Sequence, residues 1–173
     1  MDRQTDAAAV PAAVARVTEA ATAAGLAIEV RRHAAGARTA TDAAAAIGCE
    51  VGQIVKSLVF VADDAPVVAL VSGGNRLDAT RLAAALGAAH VRRADADEVR
   101  AATGYAIGGV PPFGHATRLR VAIDPDLLGF AVIHAAAGLP DATFATTPAD
   151  LVRATGGVVA EIAERPAAER APH

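Results

Sequence analysis

Lys56 is the only lysine in a chain whose Lys and Arg residues total 16. Arginine is a planar fork that stays charged, whereas lysine is a compact ammonium that serves as a point donor and titrates when desolvated. The residue stands inside Gln53-Ile54-Val55-Lys56-Ser57-Leu58-Val59-Phe60-Val61, an apolar run with strand character. Two readings fit a charge there: a functional ammonium, or a lysine that snorkels from an edge strand. Alternation puts Ile54, Lys56, Leu58 and Phe60 on one face and Val55, Ser57, Val59 and Val61 on the other. Both sets are largely apolar, which predicts a central strand covered on each side and makes an unpaired ammonium costly.

A second segment able to do chemistry runs from Gly104 to His115, with glycines at 104, 108, 109 and 114 and consecutive prolines at 111 and 112. Glycine lets backbone N–H groups approach a ligand, and proline removes alternative conformations. Adjacent amides turned inward form a concavity for a phosphate, a carboxylate or a developing oxyanion. The same composition also serves an ordinary long connection between elements. The other candidates are weaker. His33, His90, His115, His134 and His173 lack metal-ligand spacing and paired cysteines, so no zinc site is expected. Ser57 and Ser72 are the only serines and neither sits in a nucleophile elbow. Lys56-Ser57 superficially matches a phosphate-binding loop, but Val55 occupies the position that requires glycine. Asp63 and Asp64 read as solvated turn residues, as do Asp124 and Asp126 around Pro125. Cys49 reads as a small hydrophobe.

The elements that position these residues follow from period and punctuation. A helix is expected between about Ala7 and Ala24, starting near Val10 because Pro11 belongs in a first turn, and stopping at Gly25. Ala27 to Arg32 reads as a strand. Thr41 or Asp42 is expected to cap a short helix that ends at Gly48. The Lys56 strand, the Asp63-Asp64 turn and Val67 to Val71 predict an antiparallel hairpin. Leu77 to Leu86 and Asp95 to Ala102 read as helices, with Ala89 to Val91 a short strand between them. Further strands are expected at Leu119 to Ile123, Phe130 to Ala135 and Ala142 to Ala145. Thr147-Pro148 opens a last helix, and residues from Glu164 onward look frayed. Mixed strands and helices with a hairpin predict an α/β fold with a mixed, mostly antiparallel sheet.

At 173 residues the chain is long enough for one domain with a substantial core. A formal net charge of −3 provides no bulk positive field for nucleic acid, so such contacts must be local. One cysteine precludes an intrachain disulfide and fits a reducing compartment. No uninterrupted apolar run of about 18 residues is present, and the N-terminus does not read as a signal peptide. A cytoplasmic domain that does not engage a membrane is the expectation.

Taken together, Gln53-Ile54-Val55-Lys56-Ser57-Leu58, Gly74-Asn75-Arg76-Leu77-Asp78 and Thr103 to Gly114 resemble the YbaK/ProX (YbaK/EbsC-like) aminoacyl-tRNA deacylases, related to the editing domain of bacterial prolyl-tRNA synthetases. The resemblance extends from about Val17 to Ile162 and includes order and spacing. It implies a single domain over residues 1–163, with a mixed, partly closed sheet flanked by helices and no cofactor. It further implies hydrolysis of the ester joining a wrong amino acid to the 3′-terminal adenosine of tRNA. The family's Gly-x-x-x-Pro loop matches Gly108 and Pro112, and its lysine matches Lys56. Catalytic roles are thereby carried to Lys56, Gly108, Gly109 and Pro112. Substrate contacts are carried to Ser57, Tyr105, Val110 and Pro111, and to Gly114, His115, Ala136 and Gly138. The route implied is substrate-assisted, with the ribose 2′-hydroxyl positioning or activating water.

One departure bears on specificity. Many relatives have a basic residue in the glycine-rich segment after the Phe130-type strand, where this chain has Ala135-Ala136-Ala137-Gly138-Leu139-Pro140-Asp141. An apolar wall favours a small side chain such as Ala, 2-aminobutyrate or Cys. The expected partner is the aminoacyl-tRNA 3′ end, bound weakly and salt-sensitively, with prolyl-tRNA synthetase a partner the resemblance suggests. A non-catalytic module that binds an aminoacyl or nucleotide end is the competing reading.

Overall fold

The computed structural model describes residues 10–34 and 38–165. The central hairpin forms because Asp63 and Asp64 adopt φ of 45° and 67°, the paired left-handed geometry of a two-residue turn whose twist matches the flanking strands. It joins β2 (Ile54–Ala62) to β3 (Ala65–Ser72) in unbroken antiparallel register, from Ala62 opposite Ala65 to Val55 opposite Ser72. Asp63 does more than solvate the turn. Its carboxylate accepts the N–H groups of Ala89 and His90 at 2.9 and 2.8 Å. That fastens β4 (Val91–Arg93) to the end of β2.

Around this hairpin lie β5 (Arg120–Ile123), parallel to β3, and β6 (Ile133–Ala136), parallel to the start of β2. β7 (Ala142–Thr146) runs antiparallel to β6, β1 (Val30–Arg32) pairs β7, and β8 (Val158–Val159) pairs β5. The strand path is β1-β7-β6-β2-β3-β5-β8, with β4 also on β2. Its end strands do not pair, so the sheet is unclosed rather than partly closed. The β1 and β6 strands begin at Val30 and Ile133, later than the apolar runs from Ala27 and Phe130 suggest.

Helices α1 (Ala12–Ala23), α2 (Ala40–Ile47), α3 (Ala79–Leu86), α4 (Ala96–Thr103) and α5 (Pro148–Thr155) flank the sheet. Pro11 is the N-cap of α1, so the helix starts two residues after the expected Val10, and the Ala7 end of the alanine-rich run lies outside the described residues. The cap of α2 is Thr39, not Thr41 or Asp42: its hydroxyl accepts the Asp42 N–H at 3.1 Å. Glu164 and Arg165, assigned to the tail by composition, are tied down. Glu164 N–H donates to the Arg76 carbonyl at 2.7 Å, and Arg165 pairs with Asp126 at 3.0 Å.

Two apolar layers cover β2 and β3. Val55, Val59, Val61, Val68 and Leu70 pack with Val17, Val99, Tyr105, Val110 and Phe113 on one face. Phe60, Val67, Ala69 and Val71 pack with Leu82, Leu86 and Ile162 on the other. The helix leading into the glycine-rich loop is capped by a reciprocal box. Asp95 accepts the Glu98 N–H at 2.8 Å, and Glu98 accepts the Asp95 N–H at 3.1 Å. Asp95→Ala is expected to lower unfolding stability by about 1 kcal/mol, measured by urea denaturation.

Candidate functional site

The site arises from an interruption in the sheet. One edge of β2 is fully paired to β3. On the other edge, β6 pairs Ile54 and Val55, β4 pairs Phe60 to Ala62, and Ala94 N–H donates to the Val59 carbonyl at 3.2 Å. Between them, Lys56, Ser57 and Leu58 have no neighbouring strand on that edge among the described residues. A cavity of about 510 Å³ opens at the gap, lined by residues from both faces of β2. Lys56 and Leu58 reach it from the α3 side. Val59, Val99 and Val110 reach it from the opposite layer, with Ile107 and Gly108 from the loop and Ala135, Ala136 and Pro140 from the β6–β7 turn.

Lys56 is partly buried and donates through Nζ to the Asn75 carbonyl. Asn75 is itself held, its Nδ2 donating to Asp124 at 2.9 Å and to Asp126 at 2.7 Å. Asp124 is fully buried and also accepts the N–H groups of Ser72 at 3.1 Å and Asp126 at 2.9 Å. Thus Asp124 is no mere turn residue: it organises the loop that holds the lysine. Desolvation lowers the Lys56 pKa, the Asp124 carboxylate raises it, and Arg76 and Arg93 lower it. Since the folded value lies below that of the unfolded chain, the unfolded state binds the proton more tightly. The protonated lysine therefore costs stability at neutral pH, and this cost is relieved as pH rises from the folded-state value toward 10.5.

The glycine-rich loop is built as two layers. Gly108 (φ 92°) and Val110 face the cavity. Gly109 does not line it, and its N–H donates to the Ala106 carbonyl at 3.0 Å, so this amide is not free for a substrate oxygen. The carbonyl of Gly109 instead accepts Gly138 N–H at 3.0 Å, and a Cβ at Gly109 would lie 2.6 Å from the Gly138 oxygen. Gly138 in turn abuts α1, where its own Cβ would meet the Ala13 oxygen at 2.7 Å. Both glycines permit backbone contact and bring the two walls together. Pro111 and Pro112 are buried outside the lining.

Three other sequence-derived positions hold the loop from behind. His115 Nε2 bonds the Pro111 carbonyl at 2.7 Å, and burial lowers its pKa. The Tyr105 ring is buried under the Arg16 guanidinium, 4.6 Å from its centroid. Gly114 adopts φ 74°, and its Cβ would meet Ala20 of α1 at 2.5 Å. Of the sequence-derived residues, then, Lys56, Ser57, Gly108, Val110 and Ala136 line one cavity. Gly109, Pro111, Pro112, Tyr105, Gly114, His115 and Gly138 do not line it.

Sequence reasoning missed His134, which also lines the cavity. Burial, Arg31 and His33 lower its pKa, so its neutral form, able to accept a proton, is favoured. Its apolar surroundings gave no metal-type spacing to mark it. Arg38 and Arg93 reach the cavity lining as exposed cations. Among the described residues no group of three His, Cys, Asp or Glu is placed to hold a metal, and no helix is long and apolar enough to cross a membrane.

The Lys56 ammonium and the glycine-turned loop thus face one cleft of mixed polar and apolar lining. The chain belongs to the aminoacyl-tRNA editing domain family, whose model matches residues 34–154. A crystal structure of a provisionally assigned trans-editing enzyme for prolyl tRNA synthetase superposes with a TM-score of 0.86 at 45% identity, covering 91% of this chain and 100% of that one. The provisionally named Cys-tRNA(Pro)/Cys-tRNA(Cys) deacylase EbsC of Enterococcus faecalis is 31% identical over 125 residues, 72% of this chain and 76% of that protein. Proline–tRNA ligase of Geobacter sp. (strain M21) is 39% identical over 94 residues, 54% of this chain. That match spans 16% of the ligase, so the chain resembles one segment of that much longer protein.

Proposed function

We propose that this protein is a trans-editing deacylase that hydrolyses the ester of mischarged aminoacyl-tRNA, with proline tRNA carrying Ala, 2-aminobutyrate or Cys as substrate. The observation that carries this reading is that Lys56 and the loop residues Gly108 and Val110 line one cavity although they come from opposite layers of the sheet. The ammonium holds the aminoacyl-adenosine end, and the loop walls the acyl group. Ile107, Val110, Ala135, Ala136 and Pro140 leave space for small side chains. Exclusion of larger ones is sterically steep, whereas one methylene fewer changes binding by only about 1–3 kcal/mol. The EbsC name supports Cys among the substrates.

In this reading the ribose 2′-hydroxyl assists the attacking water, and His134 supplies a nearby proton acceptor. Substrates ending in 2′-deoxyadenosine are expected to react about 10²-fold slower or worse, and His134→Ala about tenfold slower. A greater loss with His134→Ala than with the deoxy substrate would transfer the main role to the imidazole. Deacylation above the uncatalysed background should fall at alkaline pH with a midpoint below 10.5, because burial lowers the Lys56 pKa.

With a net charge of −3, tRNA affinity should be weak and drop with added salt, and in this reading prolyl-tRNA synthetase supplies additional tRNA contact. The deciding experiment is a panel of proline, alanine and cysteine tRNAs, each charged with Ala, 2-aminobutyrate, Cys, Ser or Pro, assayed for amino-acid release. Release from mischarged proline tRNA supports the proposal. Tight binding of aminoacyl-adenosine with no turnover on any charged tRNA would favour a non-catalytic end-binding module.

A further inference from the structure

The hairpin register determines which backbone groups of β2 face the gap. In an antiparallel pair, residues alternate between exchanging both hydrogen bonds with the opposite residue and exchanging none. The two-residue turn makes Ala62 and Ala65 a bonded pair, and Gly73 N–H donating to the Ile54 carbonyl at 2.7 Å keeps that phase to the other end. Ile54, Lys56, Leu58 and Phe60 therefore direct their main-chain groups at β3. Val55, Ser57, Val59 and Val61 direct theirs at the opposite edge.

Along that edge, Val55 is paired in β6, Val61 is paired in β4, and the Val59 carbonyl is taken by Ala94. Ser57 alone has, on that edge, neither a ladder partner nor a loop hydrogen bond for its N–H and C=O among the described residues, and it lines the cavity. Its side chain tells the same story: Oγ is buried with no hydrogen-bond partner. A partly buried main-chain donor and acceptor without partners is a costly arrangement in a central strand. The sheet is thus short of one residue, with room for it in the cavity.

We propose that the aminoacyl group docks there as a one-residue strand, completing the β2 edge between β6 and β4. This inference rests on the deacylase reading and deepens it. An aminoacyl ester has the donor and acceptor of a strand residue on either side of one Cα. Its α-ammonium donates to the Ser57 carbonyl, and its ester carbonyl accepts the Ser57 N–H. The antiparallel exchange fixes its direction, so the ester oxygen and ribose lead toward the Val55 end of β2 and the Lys56 ammonium. Residues directly opposite in a sheet point their side chains to the same face. The substrate side chain is therefore delivered to the layer of Val55, Val59, Val99 and Val110, beside the unpartnered Ser57 hydroxyl. Recognition of this kind reads the α-amino and carbonyl groups common to all amino acids, leaving selection to side-chain size. Its substrate class is an ester of an α-amino acid with a free amino group. Simple acyl esters lack the donor and N-blocked ones crowd it.

Amide hydrogen exchange by NMR tests this, with 3′-alanylamino-3′-deoxyadenosine, a non-hydrolysable amide analogue, as the probe. In the free protein the Ser57 amide should exchange faster than those of Val55 and Val61. At a free-analogue concentration of about 100 Kd it should slow about a hundredfold, as expected for a proton released only from the unbound state. Replacing the Ser57 amide nitrogen by an ester oxygen should weaken analogue binding about tenfold while lowering the melting temperature only slightly, through the weaker Lys56 carbonyl that accepts from β3, since the lost N–H bonds nothing in the free protein. Analogue binding that shifts Gly108 and the Lys56 side chain but leaves Ser57 exchange unaltered would overturn the docking mode and leave the deacylase reading intact. Failure of the analogue to perturb the cavity, together with no release from any charged tRNA, would remove the deacylase reading and the docking mode with it.

Discussion

Lys56→Ala is expected to lower kcat/KM for mischarged proline tRNA by about 10²–10³-fold, the range found when one preorganised charge-stabilising donor is removed from an enclosed site. The expectation follows from where the ammonium sits. It reaches the cavity from the α3 side, is held by the Asn75 carbonyl, and is the cation nearest the unpaired stretch of β2. The fold should survive the change. Truncation leaves the carbonyl of the half-buried Asn75 to be solvated by water and relieves a partly desolvated charge. Unfolding stability should change by less than about 1 kcal/mol. Lys56→Arg should not restore activity, because a planar guanidinium cannot place a point donor where the ammonium was. Equal kcat/KM for the wild type and Lys56→Ala would remove the lysine from the mechanism.

The second large effect belongs to a glycine that does not touch the cavity. Gly109→Ala places a methyl group 2.6 Å from the Gly138 oxygen, 2.8 Å from the Gly138 carbon and 3.0 Å from Leu139 Cα, all backbone atoms. Gly138 cannot retreat, since α1 lies directly behind it. The loop and the β6–β7 turn must separate, losing the Gly138 to Gly109 hydrogen bond as they do. A cost of about 2–4 kcal/mol in stability is expected, together with a loss of about 10²-fold or more in kcat from misplaced loop atoms. Gly108→Ala provides the contrast. Its Cβ would find only Pro140 at 3.6 Å, so the steric cost vanishes and the strain of φ 92° remains, about 1–2 kcal/mol. Thermal unfolding of the two variants should therefore rank Gly109→Ala well below Gly108→Ala. The reverse order would show that the two walls are not locked through Gly109.

Much of the frame is legible in the chain itself because its causes are local. Alternation from Ile54 to Val61 and the Asp63-Asp64 turn suffice for the hairpin, and the lone lysine within it is conspicuous on composition alone. Thr39 was readable too: its hydroxyl caps the backbone three residues on, a pattern that Thr41 and Asp42 obscured by being equally good cap types. What could not be read has non-local causes. The gap beside Ser57 exists because β6 and β4 meet the same edge of β2 at different heights, and those partners lie 29 or more residues downstream. Nothing in the spacing of Asn75, Asp124 and Asp126 announces that a side chain will steady the loop whose carbonyl holds Lys56. Likewise Gly109 and Gly138 look like flexible loop residues, yet each serves close backbone contact.

The most direct measurement is a crystal structure with 3′-alanylamino-3′-deoxyadenosine bound. The alanyl group should lie in the β2 gap, between Lys56 and Gly108, with the adenosine toward the Thr39–Ala43 rim. Finding it instead in the shallow cleft bounded by Gly74, Pro125 and Phe130, with the Lys56 cavity empty, would contradict the assignment of the site.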